Sequence, residues 1–197
     1  MSNIIILALL SLVGITSSVK LDTVGALDIN MYAGTWFQMY SNLPVTSTFE
    51  RDNVCVTAQY GKPDPSIKKA DVSVVNTARL VQPTNGTIAG ITGYAYVPDS
   101  DEPGKLKVHF DEGAPVDADY WVTSLGPVNE DNLYDYAIVS DNIGLTLYVL
   151  ARNVETFETK YDTTVREQLV DLGFTGKAKE PIPTYQKADC DYSWLDE

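Results

Sequence analysis

Eight short strand-like segments follow one another along this chain, each set off from the next by a local turn signal. That succession restricts the fold more than any other feature of the sequence. The segments are Gly34 to Tyr40, Val54 to Tyr60, Asp71 to Leu80, Thr87 to Val97, Lys105 to Phe110, Tyr120 to Leu125, Tyr134 to Val139 and Leu145 to Arg152. They are rich in β-branched and aromatic residues, and several alternate apolar with polar. Between them lie Asn42-Leu43-Pro44 to Asn53, Gly61 to Pro65, Pro83-Thr84-Asn85-Gly86, Pro98 to Gly104 and Asp141 to Gly144, all rich in turn formers. Strands joined by local turns, with no helices between them, predict an antiparallel sandwich or barrel. One helix follows. Asp162 can cap it, Val165, Leu169 and Leu172 form one apolar stripe, and Gly173 can stop it. The stretch from Lys177 to Tyr185 can add one short strand.

Two distant residues suggest how the strands close. Gly34 precedes Trp36 in Tyr32-Ala33-Gly34-Thr35-Trp36, and Gly lets the chain enter the strand through a strained turn. Arg152 ends the apolar run Leu147 to Ala151. An Arg is costly to bury there unless something satisfies it, and the face of a Trp can do so. The expectation is that Trp36 and Arg152 meet. The alternative is a core Trp unrelated to a solvated Arg.

The chain has 197 residues, room for one domain with a substantial core. Residues 1–18 read as a signal peptide: the run Asn3 to Ile15 is too short to span a bilayer and is followed by Thr16-Ser17-Ser18, although no Lys or Arg precedes it. The secretory route, and a secreted, extracellular product, are expected. Asp and Glu number 27 against 14 Lys and Arg, a net charge of −13. Such a surface repels nucleic acid and anionic membranes. In an oxidising compartment Cys55 and Cys190 suggest one disulfide, the alternative being two free thiols.

Three blocks carry a resemblance. Tyr32-Ala33-Gly34-Thr35-Trp36, Tyr134-Asp135-Tyr136-Ala137-Ile138-Val139 and Leu150-Ala151-Arg152-Asn153 resemble, in order, the three motifs of the lipocalin family. The likeness is nearest to the branch of apolipoprotein D, Lazarillo and the bacterial lipocalins. It implies an all-β domain over residues 19–197: an eight-stranded antiparallel up-and-down barrel with one C-terminal α-helix packed outside. It also implies a structural kernel of Gly34, Trp36 and Arg152 at the closed base, and a bridge from Cys55 to Cys190 that tethers the tail. No Cys is present for the second disulfide common near apolipoprotein D, so a looser open end is expected.

Side chains alternate in and out along each barrel strand. If Cys55 points outward and Arg152 and Trp36 inward, parity places Gln38 and Tyr40, then Val56, Ala58 and Tyr60, then Thr146, Tyr148 and Leu150 inside. Val74 and Asn76 share one face of the third segment, Val108 and Phe110 one face of the fifth, and Tyr120 and Val122 one face of the sixth. Tyr94 and Tyr96 stay unassigned across the bends expected at Gly90 and Gly93. The expected ligand-binding residues are therefore Tyr40, Val56, Ala58, Tyr60, Val74, Asn76, Val108, Phe110, Tyr120, Val122, Thr146 and Tyr148. Such a lining suits an apolar body oriented by one or two polar contacts. The alternative is that these side chains fill a closed core.

Other chemistry finds little support. His109 is the only His and parity turns it outward, so neither a haem site nor a metal site is expected. No nucleophile and base can be paired around the lumen, so no catalytic residue is expected. Asn85-Gly86-Thr87 is a glycosylation sequon on a hairpin tip. The expected function is a secreted carrier of a small hydrophobic ligand such as a fatty acid, sterol, retinoid or other lipid, with no cofactor. A receptor or a membrane can meet the barrel mouth. The alternatives are a lipid-modifying barrel enzyme such as an isomerase, or a module that binds a protein partner through its loops. The sequence assigns no oligomeric state.

Overall fold

The computed structural model describes residues 21–113 and 116–195. The expected signal peptide lies outside the described residues. A short helix α1 (Ile29–Tyr32) leads into β1 (Gly34–Ser41), and α2 (Leu43–Thr48) connects it to β2 (Asn53–Gly61). Then follow β3 (Val72–Leu80), β4 (Ile88–Tyr96), β5 (Lys105–Phe110), β6 (Ala118–Leu125), β7 (Tyr136–Ser140) and β8 (Leu147–Ala151). Each strand pairs antiparallel with the next, and β1 pairs with both β8 and β2, so the sheet closes on itself. The eight-stranded up-and-down barrel with a C-terminal helix outside is thus the observed fold. A ninth strand, β9 (Ile182–Pro183), pairs with β1 at Tyr40 and Ser41.

That ninth strand splits the seam between β1 and β2. The two pair only from Gly34 to Phe37 of β1. Beyond, the tail fills the gap: Thr184 N donates to Met39 O at 2.9 Å, and Cys55 N donates to Tyr185 O at 2.8 Å. Buried Gln186 bridges the opened edges, its Nε2 donating to Gln38 O at 3.0 Å and Val56 O at 2.7 Å. The Cys55–Cys190 disulfide holds this wedge in place. The tail therefore completes the barrel wall as well as being tethered to it.

The helix differs from its expected start. It begins at Val154, with Asn153 as the cap: its side chain accepts from Thr156 N at 2.8 Å. A π-helical turn (Phe157–Tyr161) precedes the α-helical stretch Asp162–Asp171. Asp162 lies inside the helix and caps nothing. The inward side chains Phe157, Tyr161, Val165 and Leu169 recur every fourth residue, slightly wider than the 3.6 of an α-helix, and the π turn absorbs the difference. This face packs on Met39, Ile138, Leu147 and Val149, which point out from β1, β7 and β8. The barrel thus has two apolar regions, one inside the sheet and one between sheet and helix.

Three register shifts break the simple alternation, and the one in β6 leaves Thr123 as an extra residue between Val122 and Ser124. In β1, Gln38 pairs with Leu150 but Tyr40 with Val149, leaving Met39 as an extra residue. In β2, Cys55 and Val56 together oppose Ala78, and Cys55 takes a left-handed φ of 56°. Such bulges bend a strand and re-aim the side chains beyond them.

Candidate functional site: the barrel lumen

The base of the lumen is built on Arg152. Its guanidinium lies 3.6 Å from the centre of the Trp36 ring. Nη1 donates to Thr35 O at 2.8 Å, Nη2 to Met31 O and Tyr32 O at 3.0 Å, and Nε to Tyr134 O at 3.2 Å. Trp36 Nε1 donates to Tyr32 O at 2.8 Å. Gly34 has φ +98°, and a Cβ there would sit 3.2 Å from Arg152 Nη1. The backbone conformation therefore favours glycine, and a side chain there would press on the guanidinium. Burial lowers the Arg152 guanidinium to about 10, so it stays charged at neutral pH.

Above this pair lie three tyrosines. Tyr32 OH and Tyr120 OH are 2.7 Å apart, and Tyr60 OH and Tyr120 OH 3.0 Å. Tyr32 and Tyr60 stack at 5.6 Å. Burial pushes Tyr60 up to about 12 and the other two phenols upward as well, so all three are neutral hydroxyls. They close the floor. Tyr60 and Tyr120 can meet a ligand only from above it.

Higher up, inward-facing side chains keep partial exposure. Val74 and Val108 are buried in the inner core with Ala58 and Val122, whereas Asn76, Ile91, Phe110, Tyr120 and Tyr148 are only half-buried. Their registers put them on the inner face: Asn76 pairs with Ala58, and Ser41 with Tyr148. Asn76 Oδ1 is shielded and has no hydrogen-bond partner. A buried amide oxygen normally finds a donor. Val56 is buried within the β2 bulge and joins neither apolar cluster.

Two expected lining residues are placed otherwise. Tyr40 lies outside the barrel, because the extra residue Met39 moves it to the outer face and gives its inner position to Ser41. Its hydroxyl donates to Asp162 and accepts from Arg166 Nη2 at 2.6 Å, which pins the C-terminal helix to the wall. Thr146 precedes β8 and belongs to the hairpin at the mouth. Its Oγ1 donates to Asp141 Oδ2 at 3.2 Å, so that hydroxyl is engaged. Tyr94 and Tyr96 point outward, with Lys69 Nζ 5.3 and 4.7 Å from their ring centres. His109 is outward too, stacked on Tyr94 and bonded to Asp117 at 2.8 Å.

A polar group near the mouth has no counterpart among the expected site residues. Glu50, in the loop after α2, turns its carboxyl onto the inward side chain of Gln38, whose Nε2 donates to Glu50 Oε2 at 2.6 Å and to Thr184 Oγ1 at 3.1 Å. Burial raises the Glu50 carboxyl to about 7, with Gln38 pulling weakly the other way. Its charge in turn is felt by Tyr148, a phenol raised first by its own burial. A contact between residues 12 apart, across a bulge and completed by the tail, leaves no local pattern to read.

Around the open end stands an apolar rim. Leu43 and Phe49 come from the β1–β2 connection, Val81 and Ile88 from the β3–β4 hairpin, Val116 from the β5–β6 loop, and Ile143 and Leu145 from the β7–β8 hairpin. All are exposed, Phe49 by 72% and Ile143 by 70%. Asn85 is exposed on the same end.

The family model of the lipocalin-like domain matches residues 27–182. The chain belongs to the lipocalin family. Solved lipocalin folds agree in shape at low identity. Insecticyanin from the tobacco hornworm Manduca sexta is 21% identical, with 88% of each chain covered and a TM-score of 0.60. Lobster apocrustacyanin A1 is 16% identical over 91% of this chain and 97% of its own, with a TM-score of 0.56. The tryptamine complex of the amine-binding protein of Rhodnius prolixus is 19% identical over 90% and 94%, at 0.55. No curated protein matches the chain in sequence.

Proposed function

We propose that this lipocalin is a secreted carrier that holds a small hydrophobic molecule in its barrel and performs no bond chemistry on it. The observation that carries the reading is the gradient of the lumen. The floor is closed by tyrosines, while Asn76, Phe110 and Tyr148 above it face inward and stay half-exposed, one amide oxygen lacking a donor. The lining set is Val56, Ala58, Tyr60, Val74, Asn76, Val108, Phe110, Tyr120, Val122 and Tyr148, with Ser41 replacing Tyr40. Burial of apolar area drives affinity, on the order of 25 cal/mol per Å² before ordering costs. The motif pattern favours the branch of apolipoprotein D, Lazarillo and the bacterial lipocalins. The disulfide supports export, and Asn85 is the proposed glycosylation site. Displacement of a fluorescent apolar probe from ligand-stripped protein tests the reading: saturable binding at one site per chain is expected, and its absence overturns it.

The apolar rim favours a second role for the mouth, contact with a receptor or an uncharged lipid surface while the ligand is exchanged. Phe49→Ser with Ile143→Ser should slow ligand transfer from neutral vesicles without changing affinity in solution. An unchanged transfer rate removes this role.

A further inference from the structure

Glu50 is an unusual group to find against the inside of an apolar barrel. Its only hydrogen bond from a side chain comes from a neutral amide, Gln38 Nε2, and no Lys, Arg or His among the described residues pairs with it. A carboxylate withdrawn from water without a cation is costly, and the rise of this carboxyl to about 7 reflects that cost. The group is also not sealed in a core. It is held by Gln38 of β1, and its charge reaches Tyr148, a half-buried side chain facing in from β8, while Asn76, whose Oδ1 has no partner, faces in from β3. The lumen thus has a long apolar wall, a floor of neutral hydroxyls, and an acid at its upper end that the protein leaves without a counter-charge.

We propose that the upper barrel receives an apolar molecule bearing an amine, with Glu50 as the carboxylate that takes the ammonium group. The inference rests on the carrier reading and deepens it by naming the polar end of the cargo. An ammonium supplies the missing charge and N–H donors together, and a charge-assisted hydrogen bond in a half-dry site is about twice as strong as a neutral one. A fatty acid would set a second carboxylate beside the first, which forces one of them to stay protonated. An alcohol would bind through apolar burial and a neutral hydrogen bond. The site therefore ranks amine above alcohol above carboxylate for one chain length. Gln38 positions the acid, and Thr184 positions Gln38. Since Thr184 is part of the tail wedge, the disulfide-held tail shapes the binding end of the lumen.

The test measures dodecylamine, dodecanol and dodecanoate competing for one fluorescent apolar probe on the full mature chain at pH 7.5. The amine should bind at least about tenfold more tightly than the alcohol, and Glu50→Gln should collapse that ratio to near one. Glu158→Gln, an exposed acid paired with Lys187 outside the barrel, should leave the ratio intact. If Glu50→Gln fails to fold, the wild-type ratio is followed from pH 5.5 to 8.5. Gln38 of β1 bonds Glu50, and Tyr148 of β8, on which Asp141 of the β7–β8 hairpin also acts, feels its charge; Tyr148 titrates only above this range. The amine should then gain over the alcohol as pH rises through about 7. An alcohol or carboxylate bound as tightly as the amine, or a ratio indifferent to both Glu50→Gln and pH, overturns the proposal while the carrier reading stands. Failure of all three probes to bind overturns both.

Discussion

Arg152 lies flat against Trp36, 3.6 Å from its ring centre, and the same guanidinium binds the carbonyls of Met31, Tyr32, Thr35 and Tyr134. One side chain thus joins the last barrel strand, the first strand, the short helix before it and the loop before β7. The planar fork and flat face of arginine are what allow this, and a lysine has neither.

The first prediction concerns this base. Trp36→Ala should cost about 3–5 kcal/mol by emptying a fully buried site. Arg152→Lys should also destabilise markedly, because one ammonium has three N–H donors for four carbonyls. Urea unfolding at pH 7 measures both. An Arg152→Lys change within about 0.5 kcal/mol of wild type would show that the carbonyls are satisfied without the fork.

The bulge at Met39 yields a second prediction, because it separates two tyrosines that strand parity places together. Tyr148→Ala should weaken binding of an apolar probe severalfold with a modest loss of stability, since Tyr148 is half-buried in the lumen. Tyr40→Ala should do the reverse, since Tyr40 holds the C-terminal helix through Asp162 and Arg166. The pair is read by probe titration alongside thermal unfolding. Equal loss of affinity in both variants would place Tyr40 at the lumen after all.

Much of this fold was legible because its cues are local. Eight turn-bounded strands and the Gly34-Thr35-Trp36 opening led to the barrel and its base, and the inward faces of β3 and β5, and of β6 as far as Val122, follow simple alternation, as Val74, Val108 and Val122 show. What escaped depends on contacts far apart in the chain. The extra residue in β1 has no composition of its own, and it alone reverses Tyr40. The helix start was set nine residues late because Asn153 follows Arg152 directly, with no break in the sequence to mark a cap. Glu50 sits in a stretch that reads as turns. Its inward position depends on Gln38 and on Thr184, 134 residues further along.

The tail provides the third prediction. Because β9 and Gln186 fill the split between β1 and β2, opening the Cys55–Cys190 bridge should loosen the barrel wall and not only free a terminus. In the chain-entropy model a loop of this size is worth roughly 5 kcal/mol. The Cys55→Ala, Cys190→Ala double variant should therefore unfold at distinctly lower denaturant. The backbone amides of Thr184 and residue 55, which donate across the seam to Met39 O and Tyr185 O, should exchange faster than those of β3. Exchange confined to residues beyond Cys190 would mean that the wedge holds without the bridge.

The last prediction follows the Glu50 proton. In the unfolded chain this carboxyl gives up its proton near its ordinary value of 4.5, but in the folded protein burial holds it until about 7. Between those values the folded state binds the extra proton, so Glu50 makes stability fall as pH rises from about 4.5 through about 7, and above that the penalty is complete. Its ceiling is roughly 3 kcal/mol, lowered by whatever water reaches the open mouth. Glu50→Gln removes the titration while keeping a partner for Gln38. The difference in unfolding free energy between wild type and Glu50→Gln should therefore shift in favour of the variant between pH 5 and 8. A bound amine should reverse that trend, because an ammonium beside Glu50 stabilises its ionised form and draws its pKa down. A difference flat across this range, in the empty protein and the amine-loaded one alike, would show Glu50 to be solvated and indifferent to the lumen.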